Sequence, residues 1–538
     1  MSSSIGNSEY RPGLPVRLGH RWILIGIILV AFGFRLWGIE RDLPFSPQVD
    51  EPERVVRAIR IATTGNLDPD YFNHPSSTVI YPLSAIYHVW NTLFYQGNFL
   101  RANPELRERF YLNLGEFYLL GRLLTVGFTI LSVPLVYQVG RKAFNTQVGI
   151  IAASWWMLFP EVAYYSQVVR DDMVAAFFGV LSLWFCLKLF EQPKIATHIM
   201  AGISIGLAIA TRYFMAALIP VLIAVDILIL WQRGARHKKT WLGINIGLLS
   251  IPFAFLVSTP YFILNFTKVL ADVSSETRTV QLGADGLPPP GNFLWYLATG
   301  IPTSMTTFFA ILAVIGIVLI LFRHISKQML LLGFALIFLV EISLPSLHWS
   351  RWLIQILPVL ALFAAEALNS FVLGMSTFIR WTPFKKWTPF KLHVTLVLFM
   401  CLASAQPLYQ LTLQARRLSN PSTNVLAREW IFQNLPEGAK VAQDAYSAYL
   451  IDGDHFVVGE APTLVEASYT LDEAYYAGYR YLVIRMDKYS QYQANPDYYP
   501  AELNLYQTLF NKASLLREFK ASNRVRGPTI RVYELQAP

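Results

Sequence analysis

Runs of apolar residues, each close to the length of a membrane-crossing helix, alternate with short charged turns over most of the chain. At 1.5 Å per residue, about twenty such residues span the roughly 30 Å hydrocarbon layer of a bilayer. They lie near Trp22–Ile39, Glu116–Val139, Val148–Tyr164, Met173–Leu189, His198–Thr211, Tyr213–Trp231, Trp241–Phe262, Leu294–Phe322, Met329–Leu344, Trp352–Leu373 and Leu392–Leu411. The pattern predicts an all-α polytopic membrane protein with about eleven transmembrane helices. The first run follows Arg17 and Arg21, as a secretion signal would. No small-residue cleavage site follows it, so it reads as an uncleaved first span.

Basic residues set the orientation. Arg141 with Lys142, Lys188 with Lys194, Arg233 to Lys239, Arg323 with Lys327, and Arg380 to Lys391 all fall on the side of the N-terminus if every run crosses. Cytoplasmic loops carry the excess of Lys and Arg, which makes that side cytoplasmic. Counting the moderately apolar Val79–Phe94 as a further span would invert every later loop, so it is expected to lie along the outer surface as an interfacial helix. The duplicated WTPFKKWTPFK at Trp381–Lys391 reads as a basic, aromatic membrane-surface anchor.

Beyond Gln414 the pattern changes. Val425–Asn434 has helical apolar spacing, and Lys440–Gln443, Tyr481–Ile484 and Ile530–Tyr533 read as short strands. The expected organisation is a transmembrane domain over residues 1–411, with a large first outward loop at 40–115, followed by a small soluble α/β domain over 412–538 outside the cytoplasm. Asp444, Asp452 and Asp454 read as solvated turn or surface residues of that tail.

Composition supports lipid as the solvent: 54% of the 538 residues are hydrophobic and 14% aromatic, with mean hydropathy +0.39. The net charge of +9 is accounted for by the cytoplasmic loops and gives no ground for a nucleic-acid partner. The two cysteines, Cys186 and Cys401, both sit in apolar runs, where they build neither a disulfide framework nor a metal pattern.

Candidate chemistry gathers at the outward helix mouths. Asp50 and Glu51 open an expected amphipathic helix after the first span; a partly desolvated carboxylate there could take a proton from an acceptor hydroxyl or amine, or could simply favour a helix N-terminus. Arg170, Asp171 and Asp172 share the turn between two spans. Their carboxylates could hold a divalent metal cation with phosphate oxygens, or cap the next helix. No other cofactor is suggested. His74 in NHPSS could orient a carboxylate or touch substrate, or be a structural loop histidine. Arg122, Arg212 and Arg351 recur near the same surface, where guanidinium forks suit phosphate if they converge and otherwise snorkel to the interface.

Taken in order, these residues resemble the C-type glycosyltransferase superfamily, in its protein O-mannosyltransferase and aminoarabinose lipid A transferase branch (families 39 and 83). The resemblance rests on Asp50-Glu51, Asn73-His74-Pro75, Arg122, Arg170–Asp172, GLAIATRYF at Gly206–Phe214 and RWLIQILP at Arg351–Pro358. It departs from the commoner pattern at Arg212, where lysine is frequent, and in the single proline after His74. It implies an integral membrane enzyme, expected in a bacterial inner membrane, that passes a hexosyl or pentosyl group from a polyprenyl-phosphate carrier to a protein, lipid or glycan acceptor. Asp50 is then the candidate base, with Glu51, Asp171 and Asp172 as further catalytic candidates. His74, Arg122, Arg170, Arg212 and Arg351 are the substrate-binding candidates. The main alternative is a polytopic lipid or sugar-lipid transporter, but transporters place ionisable residues near the bilayer midplane, whereas these clusters sit at the mouths.

Overall fold

The computed structural model describes residues 19–45, 50–95, 97, 101–233, 238–275, 288–380, 389–444, 446–453, 455–460, 478–494, 496–497 and 499–535. Trp381–Phe384 and most of the WTPFK repeat, the centre of the Arg233–Lys239 loop, and Asp454 lie outside them.

Every apolar run of the sequence carries helix. Among the described residues, eight helices are long and apolar enough to cross a membrane: Gly19–Leu36, Leu114–Ala143, Asp172–Glu191, Tyr213–Gln232, Lys238–Ser258, Ser326–Ser343, Leu357–Met375 and Val394–Leu418. The pair Pro289–Met305 and Thr307–Arg323 is long and apolar enough only when taken together, and is bent by 119° at its break, the shape of a broken span or a re-entrant loop. Thr306 at the bend has φ +74°. The remaining two runs are shorter or interrupted. Ile195–Thr211 has 17 residues, and Val148–Tyr164 divides into Thr146–Trp156 and Pro160–Tyr165. Pro160 can only start a helix, since it lacks the N–H that an interior turn would use. The carbonyl of Met157 at the break accepts a hydrogen bond from Arg35 Nη2 at 2.5 Å.

The helices pack through small residues, as expected where lipid removes the hydrophobic drive between them. Ile195–Thr211 lies so close to Lys238–Ser258 that a Cβ on Gly202 would stand 2.1 Å from the carbonyl oxygen of Gly247. The segment expected at the interface is the helix Ser77–Tyr95. Its residues Val79, Ile80, Leu83 and Tyr87 are buried with Val55, Ile59 and Phe117, so it roofs one side of the site described below.

The C-terminal region is a five-stranded mixed sheet: β1 Lys440–Gln443, β2 Val457–Glu460, β3 Tyr481–Arg485, β4 Ala513–Phe519 and β5 Ile530–Leu535. Its order is β2-β1-β3-β5-β4, with β1 parallel to both β2 and β3, and β5 antiparallel to β3 and β4. Side chains alternate between two cores. Val441, Val483 and Val532 meet Ala427 and Ile431 of the helix Thr423–Asn434, while Ala442, Leu482 and Ile484 meet Tyr492, Tyr506 and Leu509. The expected α/β unit is present, with two strands, β2 and β4, that the sequence pattern had not marked. Asp444 corrects the expectation of a solvated turn: it is fully buried and accepts hydrogen bonds from the Tyr506 hydroxyl at 2.9 Å and the Arg485 N–H at 2.8 Å.

Candidate active site

Asp50 occupies the N-cap position of the helix Glu51–Thr64, whose first turn contains Pro52. The apolar face of this helix carries Glu51 and Arg54 in line with Val55, Ala58, Ile61 and Ala62, all buried. Two charges on a buried face need partners. Glu51 receives Arg122 Nε and Nη2 on its two oxygens at 3.0 and 2.9 Å, plus the backbone N–H of Val169 at 2.9 Å. Arg122 Nη1 donates to the carbonyls of Ile39 at 2.6 Å and Arg41 at 2.9 Å. With no exposed surface and every nitrogen engaged, Arg122 presents no donor to a substrate. The pair ties the first span's exit to the second span and to the acidic helix.

The second carboxylate group is equally enclosed. Asp171 meets Arg54 Nη2 at 2.8 Å and Arg212 Nε at 3.0 Å. Asp172 meets Arg170 Nε at 2.8 Å and Arg212 Nη1 at 2.5 Å. Arg170 also pairs with Asp50, which in turn lies 4.0 Å from Arg351 Nη1. Charges thus alternate through a lattice in which each buried carboxylate touches two guanidinium groups. Burial pushes the Asp171 carboxyl up, but Arg54 and Arg212, with His74 and Arg170 behind them, outweigh it and hold it far below the usual carboxylate range. Burial lowers Arg170 to about 10, aided by the charge of Arg351, so it stays cationic at neutral pH.

Exposure separates the members of this lattice. The side chains of Asp171 and Asp172 have no exposed surface, whereas Asp50 keeps 27% and Arg351 19%. Arg351 stacks its guanidinium over Trp349 at 4.7 Å, and its buried Nε has no hydrogen-bond acceptor among the described residues; the same is true of Nη2 of Arg170 and of Arg212. Orphan guanidinium donors converging beside an open carboxylate are the signature of a site for an anion with several oxygens. His74 stands edge-on to Tyr71 at 6.3 Å, beneath which Arg54 and Arg57 also lie. Asp171 and Asp172, each occupied by arginine, do not fit a divalent-cation site. Among the described residues, no three His, Cys, Asp or Glu side chains converge as metal ligands.

Residues 114–255 match the family model described as dolichyl-phosphate-mannose-protein mannosyltransferase. The structure superposes on ArnT from Cupriavidus metallidurans bound to undecaprenyl phosphate with a TM-score of 0.53, covering 96% of this chain and 98% of that one at 15% identity. It also superposes on the oligosaccharyltransferase AglB of Archaeoglobus fulgidus, in complex with an inhibitory peptide and a dolichol-phosphate, with a TM-score of 0.54, covering 95% of this chain and 74% of that one at 15% identity. The chain has a C-type glycosyltransferase fold. Curated relatives include the undecaprenyl phosphate-alpha-4-amino-4-deoxy-L-arabinose arabinosyl transferase 1 of Pseudomonas fluorescens, 28% identical over 137 residues, which are 24% of this chain and 25% of the relative. The corresponding enzyme of Pseudomonas aeruginosa is 28% identical over 145 residues, 26% of this chain and 25% of the relative. The matched stretch therefore spans about a quarter of these relatives' length.

On this C-type scaffold, Asp50, Arg170, Asp171, Asp172, Arg212 and Arg351 come together in one lattice, while Glu51 and Arg122 form the clamp beside it. Sequence inspection passed over three members. Arg54 bridges Asp50 and Asp171, donating to the Asp50 carbonyl at 3.2 Å; its place on the apolar face of an amphipathic helix was the signal for it. Glu161 accepts a hydrogen bond from Ser350, next to Arg351. Gln167 accepts from Arg41 at 2.8 Å and donates to the carbonyls of Arg35 and Trp37 at 2.7 and 2.9 Å. No local pattern marks either of the last two, because their partners lie far away in sequence.

Proposed function

We propose that this integral membrane protein transfers a sugar from a polyprenyl-phosphate carrier to an acceptor at the mouth of the bundle, outside the cytoplasm. The observation that carries the reading is a solvent-reachable carboxylate, Asp50, in the same charge lattice as Arg351, Arg170 and Arg212, each of which keeps a buried donor without an acceptor among the described residues, in a fold whose relatives include structures holding undecaprenyl phosphate and dolichol-phosphate. Asp50 takes the proton from the acceptor hydroxyl or amine. The acceptor atom then bonds to the anomeric carbon as the bond from that carbon to the carrier phosphate breaks. The electron pair leaves with the phosphate, and Arg351 meets the charge that develops there. Arg212 and Arg170 hold the phosphate from the lattice side, and Asp171 and Asp172 fix their forks rather than touching the sugar. Glu51 and Arg122 position the base. His74 lines the donor side.

The positive-inside bias supports an N-terminus in the cytoplasm and a sheet domain outside, and the bacterial relatives support an inner membrane as the site. The reading divides the chain into a transmembrane domain over 1–411 and a soluble domain over 412–538; the last long helix runs past that boundary to Leu418. The lipid tail explains the embedding: a polyprenyl donor cannot leave the bilayer without exposing its chain to water.

The test is transfer from a panel of radiolabelled polyprenyl-phosphate sugars to total lipid, glycan and protein fractions by the purified full chain, beside Arg351→Ala. Label that requires the wild-type protein identifies donor and acceptor fraction, and Arg351→Ala should weaken undecaprenyl phosphate binding by roughly ten- to a hundredfold, as loss of a charged hydrogen bond does. Tight carrier binding with no transfer from any donor would point to a lipid transporter instead.

A further inference from the structure

The first loop is gripped from two sides. On the membrane side, Arg122 holds the carbonyls of Ile39 and Arg41 while its other nitrogens hold Glu51, the neighbour of Asp50. On the far side the grip comes from the sheet domain. Asp42, whose carboxylate is almost wholly enclosed, pairs with Arg526 on the approach to β5. Asp42 sits at φ +58°, a left-handed conformation that Asp and Asn tolerate best among residues with a Cβ. Arg526 also donates through Nε to the carbonyl of Asn420 at 3.0 Å, just beyond the last long helix. Phe45 stacks on Tyr449 at 5.9 Å with their planes only 8° apart, and the Arg428 guanidinium lies over Phe45 at 4.2 Å. Arg428 Nη1 closes the unit by donating to the carbonyl of Tyr449. Gly38, at φ +72°, lets the first span's exit pass so close to the last helix that a Cβ there would stand 3.1 Å from Ser419 Oγ.

An ion pair and a cation–aromatic stack at a sheltered contact resist sliding, because charge-assisted bonds and ring planes both fix direction. We infer that the sheet domain is a positioning element for the transfer reaction: through Asp42–Arg526 and the Arg428–Phe45–Tyr449 stack it holds the loop that Arg122 couples to Glu51, and so fixes where Asp50 points. This rests on Asp50 being the base of the proposed reaction. A domain that only covered the site would need none of these directed contacts to the residues leading into Asp50. The phosphate-binding arginines Arg170, Arg212 and Arg351 come from other elements, so the effect should fall on the chemical step and not on carrier affinity.

The experiment uses the full chain in nanodiscs, with Asp42→Asn, Arg526→Ala, their double variant, Arg526→Lys and Phe45→Ala. Asn is chosen at position 42 because it keeps the left-handed conformation. Turnover with the donor identified by the panel, affinity for undecaprenyl phosphate, and hydrogen exchange of the amides of residues 51–58 are measured on each. Asp42→Asn, Arg526→Ala and Phe45→Ala should each lower kcat by about tenfold, since small misplacements of a reacting group cost that much or more, with undecaprenyl phosphate affinity unchanged. Exchange at 51–58 should accelerate in the same three variants. The double variant should be no slower than the worse single, and Arg526→Lys should restore most of the rate. Wild-type exchange at 51–58 in all variants would overturn the inference, as would loss of carrier affinity in step with kcat. Should wild type transfer no sugar, the proposed reaction fails, and the exchange measurement alone still decides whether the sheet domain orders the start of the Asp50 helix.

Discussion

The two ends of the helical bundle handle charge in opposite ways. At the site end, Glu51, Asp171 and Asp172 have no exposed surface and meet Arg122, Arg54, Arg170 and Arg212. At the other end, Glu191 pairs with Lys142 and Lys327 while 43% of its own side chain stays exposed, and Arg323, 40% exposed, reaches Glu366. Exposed pairs gain little because water solvates each partner nearly as well. Enclosed carboxylates would be costly alone, so their geometry is set by the guanidinium groups that neutralise them. One end is therefore adjustable surface and the other a rigid frame against which Asp50 stays open to solvent.

The largest effect should come from that open position. Asp50→Asn is expected to lower kcat by roughly 10²–10⁴, the usual contribution of a general base, with the melting temperature unchanged. If Asp50→Asn transfers sugar at the wild-type rate, Asp50 is not the base and the frame surrounds some other chemistry. Arg122→Met should act the other way, destabilising the fold by about 3–5 kcal/mol because Glu51 is left as an uncompensated buried charge. Denaturant unfolding in detergent measures it, and pairing it with Glu51→Met should recover much of the loss.

The sheet domain sharpens the contrast. Asp444 is as buried as Asp171, but its direct partners are a hydroxyl and a backbone N–H. Burial accordingly pushes it up to about 7, with the Arg485 N–H and Tyr506 opposing, where the guanidinium groups drive Asp171 down. The signs of their pH dependence differ. Asp444 favours folding when protonated, so its contribution is complete below about pH 4 and fades as pH rises towards 7. Asp171 contributes above its unfolded value near 4 and loses that only as pH falls far below it. Asp444→Asn should flatten the pH 4–7 slope of sheet-domain stability by an amount of order a few kcal/mol, measured by hydrogen exchange across β1 and β3 in the full chain. The smallest effect belongs to the opposite end of the bundle: Glu191→Ala should change stability by no more than about 0.5 kcal/mol and lose even that in high salt.

Much of this frame was legible in the chain. Apolar runs marked the helices because lipid demands a long uncharged stretch, and the basic residues Lys142 and Lys327 of two separate turns meet on one carboxylate, Glu191. The run at Val148–Tyr164 misled only in its continuity, since hydropathy averages over a break that Pro160 and the Met157 carbonyl create. At the site, the residue types that chemistry requires stood out, but their division of labour did not. Asp50 and Glu51 look alike in sequence, and Arg122 looks like any arginine near an interface. What separates them is the set of partners each finds across the bundle, such as Val169 for Glu51 and Ile39 for Arg122, and those distances exist only in the folded chain. The burial of Asp444 was hidden for the same reason, since Tyr506 lies 62 positions away.

The adjacency of Asp50 and Glu51 carries a geometric consequence. Successive residues of a helix point about 100° apart around its axis, so anchoring Glu51 by both oxygens sets the bearing of Asp50 as a compass needle is set by its pivot. A single residue inserted between the two would swing the acid through roughly a quarter-turn or more, out of reach of Arg170 and Arg351, without altering any side chain in the mouth.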